Sequence, residues 1–198
     1  NFSAWQHARI SEIGGYFSLR RQNEQLAAEN TALRNRICSM DSAKNNARIH
    51  YEQAKVVQMT TDQLHNYLTI NRGSKDGIQS KQGVRNEDGV VGIVRTVGRN
   101  YSVVQPLINT ETNLSCRFAK NGYFGTLQWD GKDNRFALLT DVAAHMVVNP
   151  GDTIITSGLT TAFPEGIPVG IVENSTLREG ESYYTIRVRL NTNFKRLK

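Results

Sequence analysis

The chain has 198 residues, 38% of them hydrophobic and 21% charged, and 24 Lys and Arg against 18 Asp and Glu leave a formal net charge of +6. That length suits one large domain or two small ones, and no stretch approaches the roughly 18–20 apolar residues a membrane-spanning helix needs. The densest apolar run, Val90–Val94, is strand-length and broken by Gly92, and the composition also excludes an ordinary disordered chain.

The positive charge is diffuse. Residues 1–50 hold 7 Lys and Arg against 4 Asp and Glu, and the remainder holds 17 against 14. The tightest groupings are Arg20-Arg21 and Lys195-Arg196-Leu197-Lys198. Such a spread favours solubility over a nucleic-acid track, so no nucleic-acid partner is expected. The start at Asn1 rather than Met points to a leading segment removed, with room for a lost signal or anchor.

The two halves are patterned differently. Of 16 glycines only Gly14 and Gly15 precede residue 70, and all four prolines, Pro106, Pro150, Pro164 and Pro168, lie in the second half. In the first part Tyr16, Leu19, Asn23, Leu26, Asn30, Leu33, Ile37 and Met40 are spaced 3, 4, 3, 4, 3, 4 and 3. That is a heptad seam, with Asn23 and Asn30 at two a positions. The residues between are strong helix formers. A monomer core would have to bury both amides, each costing about 1–3 kcal/mol if unpaired. The spacing therefore predicts a parallel two-stranded coiled coil, a homodimer seam about 37 Å long at the helical rise, with higher assembly of the dimers left open.

Beyond about residue 53 the period becomes two and turns recur. Strands are predicted at 67–71, 89–97, 101–108, 123–129, 136–139, 153–156 and 169–172. Asp130-Gly-Lys-Asp-Asn134 marks a hairpin between two of them. In the last strand Tyr184, Ile186, Val188 and Leu190 alternate with Thr185, Arg187 and Arg189, so one face is buried and one wet. The fold expected is mainly β: an N-terminal coiled-coil helix followed by two small six-stranded-type β-barrel domains. The expected division is 1–48 for the helix and coiled coil, 49–110 for the first barrel and 111–172 for the second. The last strands, 173–198, have the option of returning to the first barrel.

No catalytic constellation is apparent. His7, His50, His65 and His145 lack metal-ligand spacing, Cys38 and Cys116 form no CxxC, and no phosphate-binding glycine motif precedes a helix. No cofactor and no metal are expected. His145, Asp152 and Ser157 raise a hydrolase as an alternative, but they crowd into 13 residues without a glycine-rich nucleophile loop. On the hairpin, Tyr123 and Phe124 must point to opposite faces, so one of them is expected at the surface. Tyr123, Phe124 and Trp129 are therefore the candidate partner surface.

The most specific stretch is Gly151-Asp-Thr-Ile-Ile-Thr-Ser-Gly158 followed by Phe163-Pro-Glu-Gly-Ile-Pro-Val-Gly170. Its residues are structural: Asp152 for a turn, two prolines to stiffen a loop, and Gly166 and Gly170 for bends. Gly151, Asp152, Thr156, Ser157, Gly158, Phe163, Pro164, Gly166 and Gly170 together resemble the GD-x-I/V-x-TSG and FP-x-G-I/L-x-V-G elements of the MreC family of rod shape-determining proteins. The resemblance extends through Asn121–Gly125, Leu127–Gly131, Gly89–Gly92 and the coiled coil. It implies a non-enzymatic scaffold of the cell-wall elongation complex that binds peptidoglycan synthases and links them to a cytoskeletal filament. The implied partners are the class B penicillin-binding transpeptidase, MreD, RodA and MreB. The implied location is the inner membrane, through a single N-terminal helix absent from this chain, with this region in the periplasm. Family members usually run on for one more apolar strand where this chain stops at Lys198. An adaptor of an envelope transport complex is the alternative, disfavoured because such adaptors place a helical hairpin between barrel strands and here one helix precedes them all.

Overall fold

In the computed structural model the described residues are 21–37, 49–178 and 180–197. They belong to two compact units, one ending at Gln53 and the other running from Ala54 onward.

The first unit holds helix α1 over residues 21–37. Asn35 faces the chain that follows, its Nδ2 donating to the Tyr51 carbonyl at 3.0 Å. Its Oδ1 accepts from the Tyr51 amide. No helix among the described residues is long and apolar enough to cross a membrane.

The second unit contains eleven strands: β1 Val56–Met59, β2 Leu68–Ile70, β3 Gly83–Arg85, β4 Val90–Val97, β5 Ser102–Pro106, β6 Asn113–Phe118, β7 Phe124–Gln128, β8 Phe136–Ala143, β9 Thr153–Thr156, β10 Pro168–Thr176 and β11 Tyr183–Leu190. The first five form an antiparallel sheet in the order β1-β2-β5-β4-β3. The other six close into a barrel, β10-β11-β8-β7-β6-β9. Closure comes from β9, which pairs with β6 on one side and β10 on the other.

One of the two expected barrels is therefore an open sheet. The three-residue strands β2 and β3 and the four-residue β1 are too short to curl round and meet. The C-terminal strands also behave differently from the option of returning to the first domain. β11 lies between β10 and β8 in the closed barrel. Only the segment after β11 reaches the sheet, where Thr192 Oγ1 donates to the Val90 carbonyl at 2.8 Å.

Alternation builds the barrel interior. β11 buries Ile186, Val188 and Leu190 and exposes Thr185, Arg187 and Arg189, as its sequence predicts. β6 contributes Leu114, Cys116 and Phe118, and β7 contributes Gly125 and Leu127. Leu68, Val90 and Val104 of the sheet and the barrel residues form one continuous apolar core.

Candidate interaction surface

The stretch Gly151–Gly170 is a set of interlocked turns. Asp152 closes the turn after β8, its Oδ2 accepting from the Asn149 amide at 2.9 Å, and Gly151 supplies a positive φ of 91°. At the end of β9, Thr156 Oγ1 donates to the Pro164 carbonyl at 2.6 Å and accepts from the Ile167 amide at 2.9 Å. One hydroxyl thus holds both ends of the Phe163–Gly166 loop. Gly158 has φ 74°, and a Cβ there would meet Glu165 at 2.9 Å.

The loop has a second purpose. Phe163 is only 4% exposed. A Cβ added to Gly83 of β3 would lie 2.3 Å from its ring and 2.3 Å from the Ala162 carbonyl, which accepts the Gly83 amide at 3.0 Å. The ring is pressed on the sheet's edge strand, and Gly83 is the residue that lets it approach. The motif therefore fastens barrel to sheet.

The hydrolase arrangement is not assembled. Ser157 Oγ donates to Ser115 Oγ at 2.9 Å and accepts from the Leu159 amide, while the Asp152 carboxylate is engaged by Asn149. Among the described residues no group of His, Cys, Asp and Glu could hold a metal. His65 lies 3.9 Å from Glu111, whose other oxygen takes the Arg95 guanidinium at 2.9 Å. Cys116 is buried in the barrel, and burial pushes its thiol far up, which makes it unreactive. His7 and Cys38 lie outside the described residues.

The hairpin β7–β8 divides the candidate partner residues. Phe124 is 51% exposed on the outside of the barrel. Tyr123 is half-buried against the core. Trp129 is a correction: it is 3% exposed, with its indole N–H on the Asp133 carbonyl at 3.1 Å. It is an inward position of β7's extension, and the polar end of the ring finds its partner in the turn.

Sequence reasoning missed Tyr183. It is exposed at the start of β11 and pairs with Ala143 of β8. On β8's other side Thr140 pairs with Thr126, so Phe124, two residues back on β7, stands at the same barrel end. Along the same outer face, Arg187 stacks on Phe136 at 4.0 Å and Arg135 approaches the ring's centroid at 5.5 Å. Arg135 also grips Asp133 through two nitrogens at 3.1 and 2.7 Å. That side-chain bond, then the Arg135 backbone amide, draws the Asp133 carboxyl down to about 2. Aromatic rings and arginines without a dense charge field are the composition of partner-binding patches.

On α1 the heptad positions Asn23, Leu26, Asn30, Leu33 and Ile37 are all exposed, the three apolar ones at 55, 57 and 58%. Tyr16, Leu19 and Met40 lie outside the described residues.

Residues 56–198 match the family model described as the barrel core of the rod shape-determining protein MreC. The chain belongs to the MreC family. It is 31% identical over 163 residues to the cell shape-determining protein MreC of Haemophilus influenzae, covering 82% of this chain and 45% of that relative. It is 28% identical over 195 residues to the Escherichia coli MreC, covering 88% of this chain and 53% of the relative. The chain thus spans about half the length of these relatives. Among solved structures, MreC from Pseudomonas aeruginosa superposes with a TM-score of 0.67 at 22% identity, covering 73% of this chain and 93% of that one. A chain from a complex between a penicillin-binding protein, PBP2, and MreC from Helicobacter pylori gives 0.54 at 15%, covering 72% and 91%. At these identities the likeness is one of fold.

Proposed function

We propose that this chain is a non-enzymatic scaffold of the cell-wall elongation complex, maintaining cell shape by holding a penicillin-binding transpeptidase on the outer face of its barrel. The observation that carries the reading is the exposed aromatic pair Phe124 and Tyr183 on a barrel of the MreC family. A structural neighbour taken from a complex of MreC with a penicillin-binding protein supports the choice of partner. The same reading puts this region in the periplasm, where the major domain of a solved MreC of similar fold also lies, tethered to the inner membrane by a preceding helix. MreD, RodA and MreB complete the partner set that the family implies.

The exposed stripe Leu26, Leu33 and Ile37 supports a homodimer. Three large apolar side chains on one seam are covered when a second copy packs against them, and the two a-position asparagines pair across it.

The barrel reading is tested with Phe124→Glu beside Tyr183→Glu, assayed for binding to the purified transpeptidase. Both side chains are exposed, so folding by circular dichroism stays as in the wild type while the affinity falls at least about tenfold, as for a hot-spot aromatic. Wild-type affinity in both variants would remove this face from the interface.

A further inference from the structure

The outer face of the barrel carries the same three kinds of group at both ends of β8, and at one end alone is the set complete. At the start of the strand it is assembled within the chain. Arg187 lies over the Phe136 ring at 4.0 Å, Arg135 approaches the ring at 5.5 Å, and Arg135 holds the Asp133 carboxylate at 2.7 Å. Ring, guanidinium and carboxylate compensate one another there. At the far end of β8 stand two rings, Phe124 and Tyr183, and one carboxylate, Asp141, all three exposed. Among the described residues no cation stands over either ring, and no ion pair or hydrogen bond engages the Asp141 carboxylate.

A β-bulge puts Asp141 in this position. Leu139 pairs with Ile186 and Val142 with Tyr184, so Thr140 and Asp141 of β8 together face the single Thr185 of β11. Asp141 takes up the extra residue with φ 63° and is exposed, while Val142 beside it is buried. On one flank Tyr183 pairs with Ala143, two residues further along β8. On the other flank Thr140 pairs with Thr126, and Phe124 lies two residues back on β7. Diagonal neighbours of this kind are about 7–8 Å apart, within reach of aromatic side chains. The strands that bear the two rings are two strand spacings apart, about 10 Å, with the carboxylate on the strand between them. The other charged groups of this barrel end are occupied or turned elsewhere. Arg117, opposite Phe124, is paired with Glu165, Arg178 with Glu181, and Asp152 with the Asn149 amide. Lys120 and His145, exposed in the turns, form no ion pair with Asp141.

We propose that Phe124, Asp141 and Tyr183 form a cradle for one arginine side chain of the transpeptidase. The proposal rests on the partner reading above and names the group that this end of the face receives. Two uncapped rings and an unpaired carboxylate call for a cation, and the chain itself supplies none. A guanidinium is planar, so it stacks on a ring while its N–H fork meets a carboxylate, as Arg135 does with Phe136 and Asp133. A lysine ammonium is a compact, strongly hydrated point charge without that plane. The backbone at Asp141 is held in the left-handed region for a side chain the chain does not itself use, and strain of that kind gathers at binding sites.

The test is binding of the 198-residue protein to the purified penicillin-binding transpeptidase. Asp141→Asn keeps the shape of the side chain and tolerates the left-handed backbone, so the charge alone is lost. Its affinity falls at least about tenfold, and what remains is less sensitive to salt than in the wild type. Asp141→Gly suits the φ of 63°, melts no lower than the wild type and binds as weakly as Asp141→Asn. Glu87→Gln, at an exposed position of the sheet, makes the same change in net charge as Asp141→Asn and keeps wild-type affinity. At matched ionic strength free arginine competes with the wild type better than free lysine does, and in Asp141→Asn that difference vanishes. Wild-type affinity in both Asp141 variants, equal losses in Asp141→Asn and Glu87→Gln, or equal competition by the two amino acids overturns the proposal. If Phe124→Glu and Tyr183→Glu weaken binding while the Asp141 variants do not, the cradle fails and the partner reading stands. If none of these variants changes binding, both fail together.

Discussion

Phe163 is a single side chain on which two parts of the molecule depend. It is buried against β3 where Gly83 offers no Cβ. Truncation to Ala removes a buried ring and leaves a cavity, for an expected loss of about 3–5 kcal/mol in thermal or denaturant melts. A melt matching the wild type would put the ring at the surface. That this loop needs an anchor is legible in its composition, since Phe163 is the large apolar residue among small, polar and rigid ones. What it anchors to is not legible, because Gly83 lies eighty residues earlier. Trp129 teaches the same limit: an aromatic on a hairpin shows its spacing, but the Asp133 carbonyl that satisfies the indole is known only once the turn is built. Asp133 also gives a pH signature. Its folded carboxyl is held at about 2, below its ordinary range, by Arg135. A depressed carboxyl contributes stability above its unfolded value and loses it as pH falls through the folded one. Asp133→Asn should therefore melt below the wild type at neutral pH, with the gap closing as the pH is lowered towards 2. Because the pair is solvent-exposed, the gap is small.

Elements differ in how openly their sequences declare them. β11 states its own burial, with an apolar residue at every second position and arginines between. β9 has the bounds its sequence predicts. β6 shows an equal signal in Leu114, Cys116 and Phe118, but polar neighbours and a free cysteine mask it. β1 and β3 carry little signal, being short and half-buried, and are defined by their partners across the sheet. The order in which β9 inserts between β6 and β10 depends on contacts far apart in sequence, which no local period encodes. Helix α1 is the reverse case: its seam is plain in the sequence, and Leu26 and Leu33 on it are exposed. Leu26→Glu with Leu33→Glu puts like charges on that seam. Analytical ultracentrifugation should find the variant monomeric at concentrations where the wild type is dimeric. A wild type that stays monomeric at high concentration would sink the dimer for this chain.

At the scale of the molecule, the sheet and barrel share one apolar core and several fastenings. Gly83 to Ala162, Thr192 to Val90 and Asn134 to Thr61 bridge residues far apart in the chain. They make the β-region one folding unit, so unfolding should follow a single cooperative transition. Thr192→Val keeps the shape but removes the buried hydroxyl that donates to the Val90 carbonyl, at a cost of about 1–3 kcal/mol. Two separate transitions in the calorimeter would show the sheet and barrel to be independent.

The fastening of Ala162 and Phe163 onto β3 has a consequence for growth by strand addition. A closed barrel has no free margin, and the β3 margin of the sheet is occupied by this loop. Among the described strands, the margin left open is that of β1. A sheet with two open margins can template itself without end, whereas a sheet with one can accept a single neighbour and then stops. The loop that binds barrel to sheet thereby also makes continuous cross-β polymerisation of the native molecule a dead end after one pairing.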